Sequence, residues 1–588
     1  MTGNFIHAQK KVPYFGNINA INGYENEISG ENIDYFSAFP DHATRALLTR
    51  TTDGEKTIEW ETTKVPQKNS GPYIYFNWLV SHSSGSSGGV RNFDLYINDQ
   101  KALTLSTYPA NQRPTWISKA ADSTAFVFNQ TKMDGLKDSY GIAYLRVPVN
   151  KVTPGKPLRL KLVGQAQNSR DWFMTYKFTF QEKMDANVTP FILKDGKRLI
   201  TLTTLHFGPE EKIIAKIDNK ESFSFTMPDG IKTFDIPVTL SQTGGNIQLT
   251  VTSGKKELLR KTIQAGTIVP RTLYFIHHSH TDVGYSHLQA EVEKIHTKNI
   301  YDALKMIDET RNLPEEARFK WNVEALWDVE NFMQKATPED KKAFVKAVKD
   351  GGIGLSAMYG NILTGLSQPE ELFHYTEYAQ KLEKEYGFKI NSAMMSDVPG
   401  FAWSLVPALT TSGVKYFSSG PNYLGKTNPY LGDRVGNFVK NWGDKPVWWQ
   451  SPSGKEKILF WTAGRGYSSW HGIHPGTVFE TGQKKIAEYL DDLTRTNYPY
   501  DIVQWRYNIV SDNGPIDPSI SKFVDDWNKK YTSPKIVLST NEKMFEVFEK
   551  KYGDKLPVVK GDISPHWEDG AMSTAKEEGI NRNSGLKL

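Results

Sequence analysis

From Thr57 to Phe180 apolar and polar residues alternate in short runs separated by turn signals. TIEWETTKV, GPYIYFNWLV, FDLYIND, GIAYLRVPV, LRLKLVG and WFMTYKFTF are the clearest examples. A period of two places successive side chains on opposite faces, so each run predicts a half-buried strand. Asn92–Asn98 followed by Asp99 and Gln100 predicts such a strand entering a turn. Few stretches carry helical spacing, and residues 1–187 are expected to form a β-sandwich or jelly roll. A second set of runs follows: FILKDGKRLITLTTLHF, KIIAKIDN, SFSFTMPDG, FDIPVTL, NIQLTVTSG and KELLRKTIQ. Asp195-Gly196, Asp229-Gly230 and Ser253-Gly254 punctuate it as hairpin turns, which predicts a small immunoglobulin-like sandwich over residues 188–267.

Beyond Arg271 the period changes. Helix-length amphipathic segments, Glu291–Asp308, Pro338–Asp350, Pro369–Tyr386, Ser404–Ser412, Pro518–Tyr531 and Asn541–Tyr552, alternate with short strand-like runs. Thr337 and Pro338 read as the start of one helix and Gly351-Gly352 as its end. Strand-helix alternation predicts a mainly parallel sheet covered by helices, closed as a barrel or left open. In either form functional groups sit just after strands, at their C-terminal ends. Residues 271–588 are therefore expected to be the catalytic part of a multidomain chain.

Composition narrows the classes. A chain of 588 residues is too long for one core. The 15 Trp and 27 Tyr suit stacking on sugar faces and packed sandwich cores equally. The net charge of +5 comes without a long Lys/Arg block, which argues against a nucleic-acid partner. No apolar run reaches membrane-spanning length, and the opening MTGNFIHAQKKVPYFG lacks a signal-peptide core. Without cysteine, disulfides and thiolate metal sites are excluded.

Three strand ends carry the candidate chemistry. RTLYFIHHSHTDVGYSH (Arg271–His287) places four of the chain's 13 histidines, His277, His278, His280 and His287, after a buried strand. On extended backbone His280 and Asp282 point the same way, offering a nitrogen and an oxygen to one divalent cation, zinc above all. The bland alternative is a hydrogen-bonded turn. Asp397 follows the run Ile390–Met395, and Asp512 follows Ile502–Val510. Each alone reads as a cap or turn former. Together they would gather a histidine and two or three carboxylates on one rim.

Arg271 to about Asn583 resembles the catalytic domain of glycoside hydrolase family 38, the metal-dependent α-mannosidases. HSHTDVGY is similar to the family's His-X-Asp zinc motif, and MMSDVPGFAWSLVPAL to the block around its nucleophile. KWNVEALWDVENFM, GGIGLSAMYGN, SDNG and SPHWEDGAMSTAKEEGINR follow the family's order. The resemblance implies a (β/α)7-type barrel behind carbohydrate-binding-module-like and immunoglobulin-like sandwiches. It implies one Zn2+, or another divalent cation, on His280, Asp282 and Asp397. Asp397 would also be the nucleophile and Asp512 the acid/base of a retaining glycosidase acting on α-mannosides or related α-glycosides. Tyr285, Tyr359, Trp403, His566, Trp567 and Asp569 would contact the carbohydrate, and a glycan role suggests a periplasmic or extracellular location. The sequence departs from the family in three places. Val398–Ala402 replaces its Phe-Gly-His, no Asp follows Met358–Asn361, and no counterpart of the fourth zinc ligand is present, so a C-terminally incomplete catalytic domain is expected, the alternative being a divergent member with a reduced site. The rival readings are a polysaccharide deacetylase-like metal hydrolase, and a non-catalytic carbohydrate-binding protein with a degenerate barrel.

Overall fold

The computed structural model describes residues 10–34, 45–52, 57–69, 71–83, 89–109, 112–133, 138–178, 182–207, 209–241, 243–422, 432–471, 473, 478–563 and 574–585. The chain divides into two compact units, residues 1–189 with 197–267, and residues 190–196 with 268–588.

The first unit is mostly β. A five-stranded antiparallel sheet runs in the order Gln100–Thr107, Arg91–Ile97, Arg159–Gly164, Thr57–Glu61, Asn26–Ser29. An eight-stranded sheet has Ser139–Pro148 and Tyr73–His82 at its centre. Along Arg91–Ile97 burial alternates as the period-two pattern requires, with Phe93, Leu95 and Ile97 turned inward. They join Trp60, Trp78, Phe126, Phe128 and Leu160 in a core drawn from both sheets. A second core, including Ile200, Leu202, Ile213, Ile236, Leu249 and Val251, lies among the strands from Lys183 to Ala265. There Glu211–Ile217 turns into Glu221–Met227 through Asp218 and Asn219, both left-handed at φ 47° and 56°, a conformation short polar side chains tolerate.

The second unit alternates strands and helices. Thr272–His277 pairs in parallel with Ile502–Tyr507 on one side and Lys535–Leu538 on the other. Trp321–Val323 pairs in parallel with Ile353–Leu355. Ser392–Ser396, Tyr416–Gly420 and Lys457–Thr462 form a parallel run extended by the antiparallel Val447–Gln450. The closed (β/α)7 barrel expected above is not what the described residues form, because these strands fall into separate sheets of three, two and five. Trp321–Val323 and Ile353–Leu355 are only three residues long, and side chains take over where their ladders stop. The Asn322 amide donates to His277 O (3.2 Å) and Ser539 O (3.1 Å), while its oxygen accepts from Asn541 N (2.7 Å). Ser356 Oγ likewise donates to Met394 O and accepts from Met394 N, at 3.3 and 3.1 Å.

Helix signals translate well where caps are explicit. Pro338–Lys349 starts on Thr337, whose side chain accepts from Asp340 N. The expected single helix over Pro369–Tyr386 is two, Pro369–His374 and Glu377–Tyr386. Thr376 between them turns its hydroxyl back to Phe373 O, the competition that makes threonine a poor mid-helix residue. Leu326–Lys335, Gly432–Trp442 and Val478–Arg495 are helices the pattern had not singled out.

Because Asn322 is buried and satisfies three backbone groups of other segments, Asn322→Leu should cost about 3 kcal/mol or more, roughly 1–3 for each group left unpaired. Urea unfolding followed by fluorescence of the second unit checks this, and a loss under about 1 kcal/mol would show the contacts to be dispensable.

Candidate active site

The Trp321–Val323 strand ends on Glu324, which is fully buried. A buried carboxylate must find partners or lose its charge, and Glu324 finds them on four other segments. Its Oε1 accepts from His280 Nδ1 (2.8 Å) and Asn361 Nδ2 (2.7 Å). Its Oε2 accepts from Ser396 Oγ (2.6 Å) and lies 3.5 Å from Arg506 Nη2. His278 Nδ1 is 3.0 Å away but off the line a hydrogen bond needs. Arg506, equally buried, donates to His278 Nε2 (3.1 Å), Ser418 Oγ (3.1 Å) and Ser396 Oγ (2.6 Å). Burial alone would raise Glu324, but His280 and His278 hold its carboxyl well below the ordinary range. Burial draws Arg506 down to about 10.

With Nδ1 committed to Glu324, His280 directs Nε2 toward Asp397, 3.9 Å from Oδ2. A carboxylate on one ring nitrogen fixes the tautomer and makes the other the ligand. Burial opposes charge on His280, yet Glu324 outweighs it and raises the imidazole to about 9. Asp397 follows the fully buried strand Ser392–Ser396 in left-handed backbone at φ 68°, its N–H bound to Gly420 O at 2.9 Å. Among the described residues its Oδ1 is buried without a hydrogen-bond partner. Burial pushes the carboxyl up to about 6, with Asp512, Asp282 and Glu324 adding to the rise and His280 opposing it.

Asp512 sits on the turn after Ile509–Val510, a short strand separated by Asn508 from Ile502–Tyr507. Its Oδ1 accepts from Tyr467 OH at 2.8 Å, and His471 Nε2 is 3.9 Å from the same oxygen. Tyr467 also packs its ring 4.7 Å from that of His280. Burial, then Asp397 and Asp512, keep its phenol far above the ordinary value.

The structure therefore brings His280, Asp282, Tyr359 and Asp397 onto one cavity of about 410 Å3, with Trp327, Asn361 and Ser396. Among the described residues no three His, Asp or Glu side chains converge tightly enough to hold a metal ion as they stand. His277 takes no part: it is buried among Phe319, Trp321 and Tyr507, with burial lowering it to about 3. Tyr285 projects from the loop beside the cavity, 93% exposed. Trp403 is turned away, its indole N–H donating to Gln450 O at 2.6 Å. His566, Trp567 and Asp569 lie outside the described residues. Glu324, Asn361, Tyr467 and Arg506 were missed from sequence. Glu324 meets the strand-end rule that picked the other acids, and Arg506 is a charge inside the apolar run IVQWRYNIV; Tyr467 carries no such signal.

The model of the glycosyl hydrolases family 38 N-terminal domain matches residues 270–569. The chain belongs to glycosyl hydrolase family 38. Among solved structures it is similar to an α-mannosidase from Enterococcus faecalis V583, at 17% identity and a TM-score of 0.40, over 50% of this chain and 31% of that one. A second Enterococcus faecalis protein of the family matches at 15% identity and a TM-score of 0.34, over 50% and 29%. A putative polysaccharide deacetylase from Mycobacterium smegmatis matches at 11% identity and 0.30, over 49% and 93%. The matched region spans less than a third of either Enterococcus faecalis protein. No curated protein matches the chain.

Glu324→Gln removes the charge that faces Arg506 and should destabilise the second unit by about 3–5 kcal/mol in urea unfolding. In wild-type protein held in chelator, the His280 contribution should be complete below about pH 6.5 and vanish as pH rises through about 9, because its folded value is raised. Stability that is flat across this window, or a neutral Glu324→Gln, would contradict the assigned network.

Proposed function

We propose that the chain is a metal-dependent retaining glycosidase acting on α-mannosides or related α-glycosides, with Asp397 as nucleophile and Asp512 as acid/base. The observation that carries the reading is the placing of His280, Asp282 and Asp397 on one cavity, in a chain of this family. Asp397 would attack the anomeric carbon as the bond to the leaving oxygen breaks, and Asp512 would give that oxygen its proton. Asp512 would then take a proton from water as the water displaces Asp397 from the sugar. Tyr467, bound to Asp512 Oδ1, leaves the other oxygen for this exchange.

The donor chemistry fits a cation such as zinc. His280 offers Nε2 with Nδ1 already bound to carboxylate, and Asp397 Oδ1 is buried and unpartnered among the described residues. His280, Asp282 and Asp397 would hold the ion, which when bound would supply Lewis-acid binding of two adjacent sugar hydroxyls. Tyr359 lines the sugar's cavity, and Tyr285 with His566, Trp567 and Asp569 would contact the rest of the glycan.

Hydrolysis of an activated aryl α-mannoside, lost in EDTA and regained with zinc, tests the reading. Asp397→Ala should abolish turnover. Asp512→Ala should slow deglycosylation by about 10²–10⁴-fold and be rescued by azide, which needs no base. Wild-type turnover in either variant would remove that residue from its role.

Metal binding should also show the proton that His280 holds. With its imidazole at about 9 in the metal-free protein, zinc affinity should rise about tenfold per pH unit from pH 7 to 9. Competition with a chromophoric chelator measures this, and a flat profile would exclude His280 as a ligand.

A further inference from the structure

The residue after Asp512 makes more contacts to the His280–Ser286 loop than any turn requires. Asn513 is buried, with left-handed backbone at φ 53°. Its backbone N–H donates to His280 O at 2.9 Å. Its side-chain nitrogen donates to Asp282 O (2.7 Å) and Ser286 Oγ (2.8 Å). Its side-chain oxygen accepts from Asp282 N (3.0 Å) and lies 2.8 Å from His296 Nε2. Every donor and acceptor of the amide is used, and the Asp282 peptide is paired at both N–H and C=O as it would be by a neighbouring strand. The oxygen can only accept, so His296 Nε2 carries the hydrogen.

Beneath it lies a buried brace. His296, on the Gln289–Glu309 helix, places Nδ1 3.3 Å from Asp328 Oδ2. That same oxygen accepts from Thr281 Oγ1 at 2.7 Å, so the brace returns to the loop between His280 and Asp282. His296, Asp328 and Thr281 are all buried. Serving only to hold a turn, Asn513 would not need a buried histidine and aspartate behind it.

We infer that Asn513, braced by His296 and Asp328, is a positioning residue that straps the His280–Asp282 loop to the Asp512 turn, so that both sides of the site keep one fixed spacing. The inference rests on the roles proposed above for His280, Asp282 and Asp512. A strap of this kind touches neither sugar nor metal. Its loss should act through the groups it aligns.

Asn513→Ala in the full chain should lower kcat on an aryl α-mannoside by about 10- to 100-fold, with KM changed less than about threefold. Hydrogen exchange across residues 280–286 should quicken, while the rest of the second unit keeps its protection. His296→Leu should reproduce these losses, and His296→Gln, which can present an N–H near the same place, should recover most of the rate. Unchanged kcat and exchange in Asn513→Ala would overturn the strap. So would equal loss in His296→Gln and His296→Leu, which would mean that packing alone matters. If the wild-type protein proves inactive, the glycosidase reading fails, and exchange across residues 280–286 decides the strap by itself.

Discussion

A single buried carboxylate sets the terms for the second unit. Glu324 can keep its charge only if donors from other segments reach it, and those donors are His280, Asn361, Ser396 and, further off, Arg506. Three of them stand at or near the ends of strands. Meeting the demand of one acid therefore aligns the strand ends on which Asp397 and the His280–Asp282 loop sit. Arg506, with no exposure of its own, extends the same demand to Ser418 and His278. The network thus fixes position and electrostatics at once. It turns His280 toward Asp397, whose carboxyl burial holds high while His280 opposes the rise.

The segment after Asp397 serves packing. Val398 lines the cavity next to Asp397. Phe401 is fully buried among Phe417, Phe438 and Phe460, and its N–H binds Ile563 O at 2.9 Å. The segment after Asp397 is thus committed to the core of its sheet. Beside its acids the cavity offers Tyr359, Trp327 and Asn361 among its lining side chains.

Legibility followed range. Period-two alternation and turn residues act over a few positions, and Arg91–Ile97 could be read directly. The rule that acids follow strands picked out Asp397, Asp282 and Asp512 because the local pattern marks strand ends. Closure of the parallel strands could not be read in this way. Whether ladders join depends on partners well separated in sequence, and here Asn322 and Ser356 side chains supplement the few backbone bonds between strands. Glu324 sits at a strand end as plainly as the others, but its importance comes from what surrounds it. Tyr467 and Asn513 owe their place to residues far off in sequence, so spacing alone is silent about them.

Asn322 also bears on how the chain comes to be assembled. Its side chain is satisfied by residues 277, 539 and 541, so the early strand it occupies stays short of partners until some 220 further residues are in place. Loop closure over such a span must precede its reward. During synthesis the antiparallel sheets ahead of it can fold from near neighbours while the parallel strands wait with open edges. At the ribosome, that interval is when this polypeptide is most exposed to aggregation and most dependent on chaperones.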